Sequence, residues 1–172
     1  MTSRPSASER ALRSGERAQL EAFLDDNREE LIEAVEGLTD EQARRRLVPS
    51  LTTPLALLKH AVFVEKVWFQ VALAGRTREE LGLPYDIDES FMPSAHDSVD
   101  SLVKELRTAI EESRRIAAPL QLDDLALHNR RGPLTLRWIY VHMVEELARH
   151  AGHADILREQ ILAADRAAEE NS

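Results

Sequence analysis

Three side chains of the kinds that bind metal ions fall at helical spacing within apolar segments. Glu146 and His150 are four residues apart in the segment 136–159, and His60 lies in the apolar segment 54–74. Residues four apart lie on the same face of a helix. A buried, isolated carboxylate is costly unless it is paired or binds a cation. The spacing therefore predicts a metal centre made of one carboxylate and two imidazoles.

The position of these residues on their helices supports the same prediction. In the predicted helix over 135–164, Ile139 and Leu157 mark the core-facing stripe. At about 100° per residue, Glu146 and His150 fall within roughly 20° of that stripe. His60 is likewise a lone polar residue on an apolar helix face. We expect the three side chains to meet at the axis of a helical bundle, where such proteins build metal sites.

Three protein ligands leave a coordination position open, which is the pattern of a catalytic zinc site. Two neutral imidazoles and one carboxylate leave a divalent ion with a net charge of about +1, which attracts a thiolate or a hydroxide. Two other interpretations remain open. His60 could be a hydrogen-bonded core residue, and Glu146 with His150 could form a structural ion pair.

The other histidines are less clearly placed. His153 is open to three interpretations: a fourth ligand, a hydrogen-bonding partner of Glu146, or a wall of the pocket. We expect it to act in catalysis. His142 is expected to hydrogen-bond nearby, and His96 and His128 to lie on the surface.

The elements that must position these residues are helical. Apolar residues recur at helical spacing and predict long helices over 16–38, 53–74, 98–118 and 135–164, with a short helix over 39–46. Long connections over 76–96 and 119–134 separate the last three long helices. The sequence predicts an all-α four-helix bundle over 16–163. Flexible polar tails are expected over 1–15 and 164–172.

The composition excludes several classes of protein. The chain has 172 residues and a net charge of −9, which argues against binding to nucleic acid or to anionic lipid. It has no cysteine, so it can supply neither a disulfide nor a thiol nucleophile. No apolar run approaches the roughly 18 residues that a membrane span needs. We expect a cytoplasmic protein with no membrane partner.

Two segments resemble helices of the DinB-like bundles. LLKHAVFVEKVWF at 57–69 resembles their second helix, and LRWIYVHMVEELARHAGHADILRE at 136–159 resembles their fourth. The resemblance covers about 16–163 and implies a metal held by three side chains, commonly histidines. His60 and His150 match two of these positions. Glu146 takes the third, as in the mycothiol-dependent maleylpyruvate isomerase branch, and His153 stands where many members have glutamine.

The resemblance implies a metal-dependent enzyme that activates a low-molecular-weight thiol of the mycothiol type for S-transfer or isomerisation. Zinc is the expected metal, with nickel, iron or manganese as alternatives. The partners would be the thiol and a small electrophile, and a homodimer is plausible by the same resemblance. Two rival hypotheses are a non-catalytic metal- or ligand-binding stress-response bundle and a purely structural bundle.

Overall fold

A computed structural model describes residues 5–170, and most of them are helical. Six α-helices are present in this range: α1 (Ala7–Arg10), α2 (Glu16–Val35), α3 (Asp40–Ala43), α4 (Pro54–Glu65), α5 (Val99–Ala117) and α6 (Leu136–Glu170). A π-helical segment, Lys66–Leu73, continues α4 without a break, and a short 3₁₀ helix spans Asp88–Phe91. Strands β1 (Leu125–Ala126) and β2 (Leu134–Thr135) form a small antiparallel hairpin.

The long helices form the predicted all-α bundle. α2 packs along α6, and α4 packs along α5 together with its π-helical continuation. Their apolar faces enclose a shared core, in which Leu24, Leu57, Leu106 and Ile139 are fully buried. Because α4 and α6 both contribute to this core, residues on their inner faces can approach each other.

Local capping explains where several helices begin. The Thr53 hydroxyl accepts a hydrogen bond from the Ala56 N–H, and Pro54 occupies the first turn of α4, where no backbone donor is needed. Ser98 caps α5 in a reciprocal arrangement with Ser101. Gly75 has a φ of +73° just after the π-helical segment. That backbone conformation favours glycine, so the element ends there as predicted.

The structure corrects three predicted elements. The helix expected over 53–74 is α-helical only to Glu65 and π-helical from Lys66 to Leu73. α6 extends to Glu170, where the sequence predicted an end near 164. Asp165, in the additional turns of α6, accepts hydrogen bonds from the side chains of Gln42 in α3 and of Arg45 just after it. The hairpin occupies most of the connection predicted over 119–134 and includes Thr135, where the sequence predicted the start of the last long helix.

The predicted N-terminal tail also contains ordered structure. Residues Ala7–Arg10 form α1, which Ser6 caps. The carboxylate of Asp26 in α2 accepts hydrogen bonds from the backbone N–H groups of Ala7 and Ser8. Residues 1–4 of this tail, and residues 171–172 of the predicted C-terminal tail, lie outside the described residues.

A buried ion pair crosses the bundle. Arg28 of α2 donates two hydrogen bonds to the carboxylate of Glu65, at 2.7 and 2.9 Å, and the Ser113 hydroxyl donates a third at 2.7 Å. Glu65 is fully buried and Arg28 is 5% exposed. Such a charge pair is tolerated in a core because both groups find partners there.

None of the helices within residues 5–170 combines the length and the apolar character that crossing a membrane requires.

Candidate metal centre

The structure brings the three predicted metal ligands together. Nε2 of His60, on α4, lies 3.1 Å from Oε1 of Glu146, on α6. Nε2 of His150, one turn further along α6, lies 3.1 Å from the same oxygen. One potential ligand atom from each residue falls within 4.8 Å of the others. The helical spacing thus places these side chains in one cluster, as the sequence predicted.

The cluster is buried on the histidine side and open on the carboxylate side. His60 is 1% exposed and His150 is 8% exposed, whereas the Glu146 side chain is 18% exposed. The second carboxylate oxygen of Glu146 lies 3.6 Å from a guanidinium nitrogen of Arg149, which is half exposed. A small molecule could therefore approach the cluster past Glu146 and Arg149.

The hydrogen bonds around Ser90 determine the tautomer of His60. The Ser90 hydroxyl donates to the backbone carbonyl of Ile87 at 2.5 Å. Its oxygen also lies 2.8 Å from Nδ1 of His60. Since the single hydroxyl proton goes to Ile87, Nδ1 of His60 must be the donor to Ser90. In the neutral ring Nε2 then carries a lone pair, and this lone pair faces Glu146.

The charge states of the two groups make this contact unfavourable without a cation. The hydrogen bond from the His150 ring lowers the pKa of the Glu146 carboxyl well below its ordinary range, so the group is ionised. Burial lowers the pKa of His60 despite the nearby carboxylate, which favours the neutral ring. A lone pair and a carboxylate oxygen therefore face each other at 3.1 Å, and a bound metal ion would satisfy both.

The donor set fits a divalent metal. With metal–ligand distances of about 2.0–2.1 Å, neighbouring ligand atoms lie roughly 2.8–3.0 Å apart in an octahedral site and roughly 3.3–3.4 Å apart in a tetrahedral site. The two 3.1 Å separations lie between these values. Nδ1 of His150 is buried and has no hydrogen-bond partner within residues 5–170, and a metal ion bound at Nε2 would leave this nitrogen without one.

The 3₁₀ helix supplies two residues that sequence reasoning missed. Ser90 orients His60, and the Phe91 ring stacks on the His60 imidazole with centroids 3.9 Å apart and planes 14° from parallel. Phe91 also contacts His150 edge-on at 5.9 Å. Both residues lie in the connection that the sequence predicted over 76–96. Its length was a signal of functional importance, but it did not identify these positions.

The remaining histidines lie outside the three-residue cluster. The His153 ring centroid is 5.9 Å from that of His150, and the His153 side chain is exposed. His142 stacks on Trp138 at 4.9 Å. His153 therefore lies at the edge of the centre, where it could act on a bound molecule. His96 and His128 are exposed, as predicted.

A cavity of about 290 Å³ lies beside His153. It is bounded on one side by the loop between α3 and α4 and on the other by the C-terminal half of α6. The lining combines apolar and hydroxyl or amide side chains: Val48, Ser50, Thr52, His153, Ile156, Leu157 and Gln160. This cavity is large enough for a small organic group, and His153 is the residue of its lining that contacts the cluster, through His150.

Comparisons with known proteins identify one matching family and a solved structure with a similar fold. A family model described as mycothiol-S-transferase matches residues 19–163, which is most of the chain. This match confirms the resemblance read from the two helices. A crystal structure of a conserved protein of Enterococcus faecalis is similar to this fold, with a TM-score of 0.55 and 15% sequence identity. The match covers 84% of this chain and 95% of that one. No curated protein matches the chain.

Proposed function

The chain belongs to the mycothiol-S-transferase family, and from this premise we propose that it is a metal-dependent enzyme that transfers a mycothiol-type thiol to an electrophile. His60, Glu146 and His150 would hold one divalent metal. Zinc is the proposed ion, because two imidazoles and one carboxylate are typical ligands of catalytic zinc.

The observation that carries the proposal is the contact between His60 and Glu146. Ser90 directs the Nδ1 proton of His60 away from the carboxylate, so that Nε2 presents a lone pair to Glu146 at 3.1 Å. A purely structural ion pair would place a proton between these atoms. The arrangement instead supports two metal ligands, one of which a neighbouring hydroxyl group would orient.

A bound divalent metal would lower the pKa of a coordinated thiol, so that the thiol reacts as a thiolate. The chain has no cysteine, so the thiol must come from a cosubstrate. His153, whose ring centroid lies 5.9 Å from that of His150, would take up the proton that the thiol releases. This role requires proton transfer over hydrogen-bond distance or through one water molecule. Arg149, next to the open side of Glu146, would attract anionic groups to the mouth of the site.

The first experiment measures metal content. Protein purified without a histidine tag would be examined by plasma mass spectrometry, as wild type and as the variants Glu146→Ala and His150→Ala. We expect near one divalent metal per chain in the wild type and a loss of metal in both variants. A wild type that stays metal-free after incubation with zinc, nickel, manganese and iron would contradict the proposal.

The second experiment measures transfer. Monochlorobimane gives a fluorescent product when a thiolate sulfur displaces its chloride, so that a C–S bond forms, the C–Cl bond breaks and the thiol proton is released. We expect metal-loaded wild type to accelerate this reaction with mycothiol, and Glu146→Ala to abolish the acceleration. Equal rates with and without enzyme, across several electrophile classes, would instead favour a non-catalytic metal-binding bundle.

The predicted cytoplasmic location and homodimer stay predictions. Sedimentation of the purified protein tests the homodimer directly. Fractionation of the native host tests the location.

A further inference from the structure

A second group of residues lies next to the metal centre and is not used by the proposed chemistry. Trp138 and His142 stack on each other, with ring centroids 4.9 Å apart and planes 15° from parallel. Trp68 contacts both rings, at 5.3 Å and 4.9 Å. The guanidinium carbon of Arg131 lies 5.5 Å from the Trp68 ring and 5.8 Å from the Trp138 ring. We call these four residues the aromatic shelf.

Three separate elements position the shelf. Trp68 belongs to the π-helical segment, Trp138 and His142 belong to α6, and Arg131 lies in the loop of the β1–β2 hairpin. The backbone N–H of His128 in this loop donates to the carbonyl of Ala72, which attaches the loop to the π-helical segment. Gly132 follows Arg131 with a φ of +84°, a turn conformation that favours glycine. The attachment of the hairpin loop to Ala72 and the turn at Gly132 therefore position Arg131 beside the two tryptophans.

The shelf adjoins the metal centre along α6. Trp138, His142 and Glu146 follow each other at intervals of four residues, so they lie in one row on the helix. Adjacent members of such a row have Cβ atoms about 5–6 Å apart. Trp138 and Glu146 are therefore about 12 Å apart along the helix axis, with His142 between them.

The chemistry of the shelf selects a flat, negatively charged ligand. Trp138 is 39% exposed, so part of its apolar indole is accessible although His142 stacks on one face. Within residues 5–170, Arg131 makes no salt bridge with a carboxylate. Contact with the indole rings restricts the guanidinium, whose N–H groups match the two oxygens of a carboxylate. In a chain of net charge −9, Arg131 is a local positive charge that no carboxylate of residues 5–170 neutralises through a salt bridge.

We propose that the aromatic shelf binds the electrophilic substrate, and that this substrate is a planar conjugated carboxylate. Its flat body would lie on Trp138, its carboxylate would pair with Arg131, and its conjugated carbon would extend toward Glu146. Naming the ligand as the electrophile rests on the proposed thiol transfer. Carbons that thiolates attack commonly belong to planar conjugated systems, which agrees with a stacked ligand.

The test measures binding without any thiol. Cinnamate is a planar conjugated carboxylate, and cinnamamide has the same shape without the charge. Calorimetric titration of the metal-loaded full chain should show tighter binding of cinnamate than of cinnamamide. Both tryptophans of the chain belong to the shelf, so ligand binding should also change the intrinsic indole fluorescence.

Substitutions then locate the site. Arg131→Ala should weaken cinnamate binding about tenfold, as expected for the loss of one charged hydrogen-bonding partner, and should leave cinnamamide binding unchanged. Arg131→Lys should keep only part of the preference, because an ammonium group lacks the planar fork. Arg130→Ala removes an exposed arginine from the same loop and should change nothing.

Two results would overturn the proposal. Cinnamate and cinnamamide could bind equally, or Arg131→Ala could leave cinnamate binding intact, as it would if the carboxylate bound only at the metal centre. Metal content and mycothiol transfer are measured on the same variants. Loss of transfer with Arg131-dependent cinnamate binding retained would contradict the proposed function alone, and the reverse pattern would contradict the shelf alone.

Discussion

Ser90 orients His60 from the side of the ring opposite Glu146. The serine hydroxyl donates its proton to the Ile87 carbonyl and accepts the Nδ1 proton of His60 at 2.8 Å. The other ring nitrogen is then free to bind a cation. A residue of the 3₁₀ helix thereby determines what a residue of α4 can do at the metal centre.

We predict that Ser90→Ala lowers metal affinity about 10- to 100-fold, because partners that orient metal-binding histidines commonly contribute that much. The measurement is competition for zinc against a chromophoric chelator. Ser94→Ala, which removes an exposed hydroxyl from the same connection, serves as the control and should bind zinc normally. Equal affinities in the two variants would show that Ser90 does not orient His60.

His153 should be needed for turnover and not for metal binding. It lies beside His150 but outside the three-residue cluster. We predict that His153→Ala retains the metal and lowers kcat for thiol transfer about 10²- to 10⁴-fold, the range for loss of a general acid or base. Metal content and steady-state kinetics check this, with His96→Ala as the control. Metal loss in His153→Ala would instead make it a ligand.

Removal of one partner of the buried Arg28–Glu65 pair should destabilise the bundle strongly. Glu65→Ala leaves the Arg28 guanidinium buried with only the Asp25 carboxylate as partner. We predict a loss of about 3–5 kcal/mol in the free energy of unfolding, as for other broken buried pairs. Urea denaturation measures it. The exposed pair Arg107–Glu29 provides the control, since Arg107→Ala should cost about 0–1 kcal/mol.

Asp97 should make stability depend on pH in the acid range. Its partial burial opposes ionisation, but hydrogen bonds from Lys59 and from the Ser94 N–H more than offset this effect, so the pKa of Asp97 lies below its ordinary value. A lowered pKa in the folded state stabilises the protein above the unfolded-state pKa of about 3.9. This stabilisation is lost as the pH falls through the folded pKa.

The corresponding experiment compares Asp97→Asn with wild type by urea denaturation across the acid range. We predict that the wild type is more stable above about pH 5, and that the difference shrinks as the pH falls below about 4. Asp100→Asn, at an exposed position in the first turn of α5, is the control. A stability difference that does not change with pH would show that the Asp97 charge does not contribute.

The sequence predicted the helical bundle and the convergence of His60, Glu146 and His150, because helical periodicity determines which residues share a face. It could not predict Ser90, Phe91 or Arg131. These residues lie in connections, where position depends on contacts with distant elements: Arg131 is held by a hairpin that is bonded to Ala72. The change from α- to π-helical geometry at Lys66 was also missed, because the residue types of this segment are compatible with both kinds of helix.

The single 35-residue helix α6 carries Trp138, Glu146, His150 and His153. The residues that surround these side chains include Val48, Phe91 and Arg131, which lie in three separate connections. The loops that bear Val48 and Arg131 contribute no residue to the three-residue cluster. Under the proposed function, exchange of these two loops would therefore change which molecules enter, while Glu146, His150 and His153 keep their spacing along α6. The connection that bears Ser90 would have to be kept, because Ser90 orients His60.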